Sequence, residues 1–178
     1  MSGQGRSARP CAGIAAVEFV LVLPVLLALL ALAVDGGRLL ADYHALSKSV
    51  RDAARFLARA DAVPDVCVPG DLDRARPAVA RAVRLAMTGR VDGDPAADAL
   101  VAGWSASDLS EAATGVRVTL DCLDNAGAAL GGLYGGRAAI PSIVVEARAP
   151  FSFGFARTLG LGPGMTIRVA HKTAHLGL

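Results

Sequence analysis

One apolar run near the amino terminus constrains this chain more than any other feature. Residues 14–34 read IAAVEFVLVLPVLLALLALAV and contain a single charged residue, Glu18. As an α-helix rising about 1.5 Å per residue, this run spans about 30 Å, the thickness of the hydrocarbon core of a bilayer. The sequence Asp35-Gly36-Gly37-Arg38 ends the run abruptly. We therefore predict a transmembrane helix over residues 14–34.

Two residues inside this segment are unusual for a membrane helix. Pro24 would break a helix in water but is tolerated in a membrane, usually with a kink. Glu18 is costly to bury in lipid, so it is expected to have a partner or a function. The alternative is that Glu18 lies near the helix start and reaches the headgroups, helped by the helix dipole. Spacing alone leaves both interpretations open.

The charges that flank the segment give a mixed signal about orientation. Arg6, Arg9 and the amino terminus precede it, whereas five cations follow it within 25 residues: Arg38, Lys48, Arg51, Arg55 and Arg59. A count of Lys and Arg therefore does not favour a cytoplasmic amino terminus. Because long domains translocate largely regardless of charge, we still expect the amino terminus in the cytoplasm.

A signal peptide is the rival interpretation of the same segment. Ala31-Leu32-Ala33 fits the small-residue pattern of a cleavage site, and cleavage after Ala33 would release a secreted periplasmic binding domain. Glu18 and Pro24 interrupt the apolar region that a signal peptide needs, and the run is long for one.

The helical pattern continues beyond the membrane over residues 35–62. An apolar stripe repeats at steps of three and four residues: Leu39, Tyr43, Leu46, Val50, Ala53 and Leu57. The opposite face is polar: Asp42, Lys48, Arg51, Asp52, Arg55 and Arg59. The stripe packs either on the chain's own domain or against sister helices, and we favour the chain's own domain for its distal half. The helix is expected to end near Ala62, before Pro64.

The remaining residues, 63–178, predict a small α+β domain. A second helix is expected over residues 78–88, with Gly89 as its stop. Alternating or β-branched runs predict strands over residues 116–122, 142–149 and 166–173, the second closed by Pro150. A long helix packed on a small antiparallel sheet is the resulting fold prediction.

Three cysteines are distributed on both sides of the apolar run. If the later part of the chain faces an oxidising compartment, Cys67 and Cys122 form the natural disulfide pair. The alternative is two buried free thiols.

The order of motifs resembles the TadE-like family of pseudopilins from tight-adherence (Flp-type) pilus systems. Gly13-Ile14-Ala15-Ala16-Val17-Glu18-Phe19 is similar to the prepilin peptidase site of that family. The family's run of aliphatic residues and proline is matched by Leu21-Val22-Leu23-Pro24, and its acidic-x-Gly-Arg exit by Asp35-Gly36-Gly37-Arg38. Its later Ala- and Arg-rich helix is matched by Arg51-Asp52-Ala53-Ala54-Arg55, although Ala53 stands where glycine is common. The resemblance covers residues 13 to about 58, and it implies a pilin-like fold.

The resemblance implies processing by prepilin peptidase between Gly13 and Ile14. Residues 1–13 would then be a cytoplasmic leader that carries Cys11 away and leaves Cys67 and Cys122 as an even pair. Glu18 would be the fifth residue of the mature chain and would pair with the amine of a neighbouring subunit. Phe19, Pro24, Asp35 and Arg38 are the other residues expected to contact partners. The implied location is the bacterial inner membrane, with the domain in the periplasm and other pilins and assembly-platform proteins as partners.

Other functional classes have little support in the sequence. A net charge of +2 without a basic run, and an aromatic content of 4%, do not favour nucleic-acid binding. His171 lies on a predicted strand and His175 at its frayed end, with no acidic or cysteine residue adjacent, so no metal site is expected. We identify no nucleophile–base pattern, and we therefore predict no catalytic residue, cofactor or small-molecule substrate.

Overall fold

The computed structural model describes residues 12–60, 67–104, 115–125, 138–154 and 164–175. The elements, in chain order, are α1 (Ala12–Arg59), β1 (Gly70–Asp71), α2 (Pro77–Thr88), β2 (Gly115–Asp124), β3 (Ala139–Phe151) and β4 (Met165–Ala174). The long helix α1 contains Pro24 without being divided by it. The predicted arrangement, a long amino-terminal helix on a small antiparallel sheet, is confirmed.

The strands form one four-stranded antiparallel sheet in the order β1-β2-β3-β4. Strand β2 alternates as predicted, with Val116, Val118 and Leu120 buried and Arg117 exposed on the opposite face. Strand β4 does the same, with Ile167 buried and Arg168 exposed. This period of two gives the sheet an apolar inner face and a polar outer face.

Helix α1 packs on the inner face of the sheet, chiefly along β3 and β4, while α2 lies beside α1. Leu46, Val50, Ala53 and Leu57 are fully buried in the shared core. The favoured interpretation of the apolar stripe is therefore confirmed for its distal half. Nearer the apolar run the stripe is less covered, and the Tyr43 side chain remains 46% exposed.

A buried hydroxyl joins the two helices. Ser49 Oγ lies 2.7 Å from the carbonyl oxygen of Ala86 in α2 and 3.0 Å from that of Leu46 in its own helix. Helix α2 begins with Pro77, where a missing N–H removes no helical bond, and ends at Gly89 in the left-handed conformation (φ 73°). The predicted stop at Gly89 is confirmed.

The prediction that Pro150 closes the second strand is wrong, because β3 continues to Phe151 and also contains Pro141. The Pro141 carbonyl accepts a hydrogen bond from the His175 N–H, so its backbone faces β4 at a point beyond Ala174, where β4 ends. Backbone direction alternates along a strand, so Pro150 faces β2, and β2 ends opposite Arg148. Neither proline therefore removes a bond from the ladder.

The remaining differences concern boundaries. Helix α1 is described to Arg59, and its predicted end near Ala62 lies outside the described residues. The two-residue strand β1 was not predicted.

Candidate functional site

The amino-terminal half of α1 is not covered by the chain's own domain. Every residue from 15 to 34 is exposed or half-buried, and Phe19, Leu21 and Leu30 expose between 59% and 71% of their surface. This helix is long and apolar enough to cross a membrane. An apolar surface of this extent is unfavourable in water, so a bilayer or neighbouring helices must cover it.

Glu18 projects from this exposed helix. Its carboxylate is exposed and makes no hydrogen bond or ion pair with any residue that the structure describes. Gly13 and Ile14 lie in the first turn of α1, where backbone N–H groups have no helical acceptor. A new amine at Ile14 would lie at this same end of the helix, about one turn from Glu18.

The other predicted contact residues do not converge with Glu18. Phe19 and Pro24 are exposed on the same apolar part of α1 as Glu18. Asp35 lies about 25 Å from Glu18 along the helix axis, at 1.5 Å per residue. The candidate site is therefore an extended helix surface and not a pocket. Such a surface suits packing against other helices.

Asp35 has an intramolecular contact that the sequence did not reveal. It is only 5% exposed, and its Oδ1 accepts a hydrogen bond from the Gly154 N–H at 3.2 Å. Arg38 Nη1 lies 4.0 Å from the same oxygen and stays largely exposed. A Cβ at position 154 would lie 3.4 Å from both Asp35 Oδ1 and Arg38 Nη1, which is ordinary van der Waals contact. Asp35 thus ties α1, just beyond its apolar run, to the segment that follows β3. Its contact with a neighbouring subunit stays a prediction.

We expect Asp35→Ala to loosen this junction. The substitution leaves the half-buried Gly154 N–H without its charged acceptor, which should lower the free energy of unfolding by about 1–3 kcal/mol. Urea unfolding of the full-length protein in detergent measures the effect. Asp42→Ala on the same helix is the matched control, since Asp42 has no contact of this kind with a described residue. Equal urea midpoints for the two variants would contradict the role assigned to Asp35.

The cations on the outer face of the sheet are paired. Arg117 binds both carboxylate oxygens of Asp71 at 3.0 Å. Glu146 accepts from Arg148 at 2.9 Å and from Arg168 at 2.7 Å. Lys172 bonds to Asp121 and thereby lowers the pKa of that carboxyl. The positive charges of this face are therefore largely compensated by carboxylates on the same face.

The predicted disulfide is present. Cys67, just before β1, is bonded to Cys122 in β2, across a sequence separation of 55 residues. The bond thus ties the segment before β1 to the strand with which β1 pairs. The partly buried Cys67 also packs against the hydrophobic core.

No described part of the chain assembles a metal centre, since no group of three or more His, Cys, Asp or Glu residues there lies close enough together. His171 is half-buried on the inner side of β4, and His175 follows that strand.

A groove of about 450 Å³ lies near the end of α1 and is lined by Asp52, Arg55, Phe56, Arg59 and Ala60. Its lining combines two arginines with one carboxylate, that of Asp52, and two apolar side chains.

Comparison with known proteins adds one positive finding. Residues 13–55 match the family model described as TadE-like protein, which covers the membrane helix and the first part of the core-forming helix. The match agrees with the resemblance drawn from the motif order, and it supports an association with a tight-adherence pilus. Neither the curated proteins nor the solved structures gave a match.

Proposed function

We propose that this chain, whose residues 13–55 match the TadE-like family, is a pseudopilin or minor pilin of a tight-adherence (Flp-type) pilus assembly and secretion system. The family match carries the proposal. In it, prepilin peptidase cleaves between Gly13 and Ile14, and the mature protein keeps α1 as its single membrane anchor.

The exposed Glu18 supports this assembly role. A carboxylate on a membrane helix without a partner among the described residues is costly unless another subunit supplies one. The ammonium group created at Ile14 by processing supplies that charge on an adjacent subunit. Because the pair lies in a medium of low dielectric, it favours correctly assembled neighbours.

The disulfide supports the proposed location of the domain. Disulfides persist in oxidising compartments such as the periplasm and are rare in the cytosol. A Cys67–Cys122 bond therefore fits an inner-membrane protein with a cytoplasmic amino terminus and a periplasmic domain. Prepilin peptidase, other pilins and the assembly platform are the proposed partners, and we propose no catalytic role.

The continuity of α1 favours this function over a secreted binding domain. Ala31, Leu32 and Ala33 are helical, and the same helix continues without a break into the buried Leu46 and Leu57. A signal-peptide cleavage site there would have to be opened within a helix whose next residues are anchored by Asp35. A secreted domain would be released from membranes by carbonate washing, and we expect this protein to be retained.

Intact-mass measurement on protein from native cells tests processing. We expect the loss of residues 1–13, with Ile14 as the amino terminus. Gly13→Val should block processing, because a branched side chain then occupies the position that the protease approaches closely. Gly37→Ala is the matched control, since an added Cβ there meets nothing within 4 Å, and it should be processed normally. A full-length chain, or one that begins at Val34, would be inconsistent with the proposed cleavage.

A further inference from the structure

The exposed side of the two-helix layer carries a clear excess of cations, with Asp52 as the one half-buried carboxylate among those of α1. We define the helical basic face by the exposed cations of α1 beyond the membrane and of α2: Lys48, Arg51, Arg55, Arg59, Arg81 and Arg84. None of these six side chains forms an ion pair with a described residue. The cations of the outer sheet face, by contrast, are bonded to Asp71, Asp121 and Glu146.

The spacing of the α1 cations places them in one line. Steps of three, four and four residues separate Lys48, Arg51, Arg55 and Arg59, so they follow one side of the helix over about 16 Å. Like charges at this spacing repel each other, and the single carboxylate of Asp52 offsets only part of that repulsion. The groove bordered by Arg55, Phe56 and Arg59 lies at the distal end of this line.

Lipid headgroups are too far away to neutralise this line. At 1.5 Å per residue, Lys48 lies about 21 Å and Arg59 about 38 Å beyond Val34 along the helix. Each headgroup layer extends only about 5–8 Å beyond the hydrocarbon core. The distal cations therefore lie in the periplasmic space if Val34 marks the membrane boundary.

A second copy of this chain is also a poor occupant. Parallel copies in the same membrane would bring the cations of one α1 against those of the next, which is repulsive. The carboxylates on the outer sheet face are already engaged with their own cations. A different subunit with an acidic surface meets neither difficulty.

We propose that the helical basic face docks an acidic helix of a second, different single-pass membrane protein. Because α1 runs continuously from the membrane segment to Arg59, a partner helix that leaves the bilayer beside it would run along the same line. Carboxylates spaced by three and four residues on that helix would meet the four α1 cations in turn. The groove between Arg55 and Arg59 would receive the partner's distal side chains. This inference rests on the proposed function only in requiring a companion subunit in the same membrane.

Photo-crosslinking in native cells tests the proposal with the full-length protein. A benzoylphenylalanine at position 44, exposed on the same side of α1 as Lys48, should form an adduct with another membrane protein through an acidic helical segment next to its membrane span. The same photoprobe at position 166, on the outer sheet face, should not capture that protein. The double variant Arg51→Glu/Arg55→Glu should reduce the adduct at least about tenfold, which corresponds to a loss of about 1.4 kcal/mol.

Two controls make the outcome decisive. Arg168→Gln/Lys172→Gln removes two cations from the sheet face without opposing like charges and should leave the adduct at position 44 unchanged. Replacing the captured partner's acidic residues with Lys should restore the adduct to Arg51→Glu/Arg55→Glu. Adducts only with lipid, with glycan or with a second copy, no adduct at all, or an adduct insensitive to charge reversal would each overturn the proposal. The amino terminus of the same samples reports processing, so failure of the proposed function is seen separately.

Discussion

Glu18→Gln should abolish surface fibres while the protein still accumulates in the membrane. Glutamine keeps the size of the side chain and removes the charge that the proposed ammonium partner requires. An ion pair at about 4 Å is worth about 4 kcal/mol at an effective dielectric of about 20. Losing even about 1.4 kcal/mol weakens subunit association about tenfold. Fibre counts by electron microscopy and adhesion assays measure the loss, with immunoblots for protein level.

The membrane helix offers a matched control for Glu18→Gln. Val20 lies two residues on, on the opposite side of α1, and is 63% exposed. Val20→Gln introduces the same amide into the same segment without removing a charge, and fibres should persist. Glu18→Asp keeps the charge on a shorter arm and should retain partial assembly. Undiminished fibres and adhesion in Glu18→Gln, at normal protein level, would show that the charge is not needed for assembly.

Much of the fold follows from periodicity that can be seen in the sequence. The apolar stripe from Leu46 to Leu57 repeats at helical steps and is buried, while Val116, Val118 and Leu120 alternate and line the inner face of the sheet. Such patterns report which face of an element meets the core. They do not report where a strand ends. Pro150 does not end β3, because the neighbouring strand β2 already stops opposite Arg148. Strand β1 was not predicted because two residues have no period.

The candidate site was predictable in its residues and less so in their contacts. Glu18 is visible in the sequence because a lone acid in an apolar run is conspicuous. The partner of Asp35 is a backbone N–H 119 residues away, and no local pattern identifies such a contact. The helical basic face combines cations from α1 and α2, so only the packing of the two helices reveals its full extent. Contacts between residues far apart in the sequence are therefore what the sequence patterns could not predict.

Removing the Cys67–Cys122 bond should cause the largest loss of stability in the domain that α2 and the sheet form with the distal half of α1. In the chain-entropy account, a bridge across 55 residues stabilises the folded state by about 4 kcal/mol. A small domain has a total of only about 5–15 kcal/mol. The double variant Cys67→Ser/Cys122→Ser should therefore raise the unfolded fraction about a thousandfold. Urea unfolding of the full-length protein in detergent measures this shift, and proteolysis in intact spheroplasts reports it in the membrane.

Cys11 provides the matched control for that loss. It lies before the membrane segment and takes no part in the Cys67–Cys122 bond. Cys11→Ser should therefore leave the urea midpoint unchanged, and in processed protein the residue is absent altogether. Reducing the wild-type protein with dithiothreitol should reproduce the shift seen in the double serine variant, because both remove the same constraint from the unfolded chain. A shift below about 1 kcal/mol in both experiments would mean that the core formed by α1, α2 and the sheet holds the domain together without the bridge.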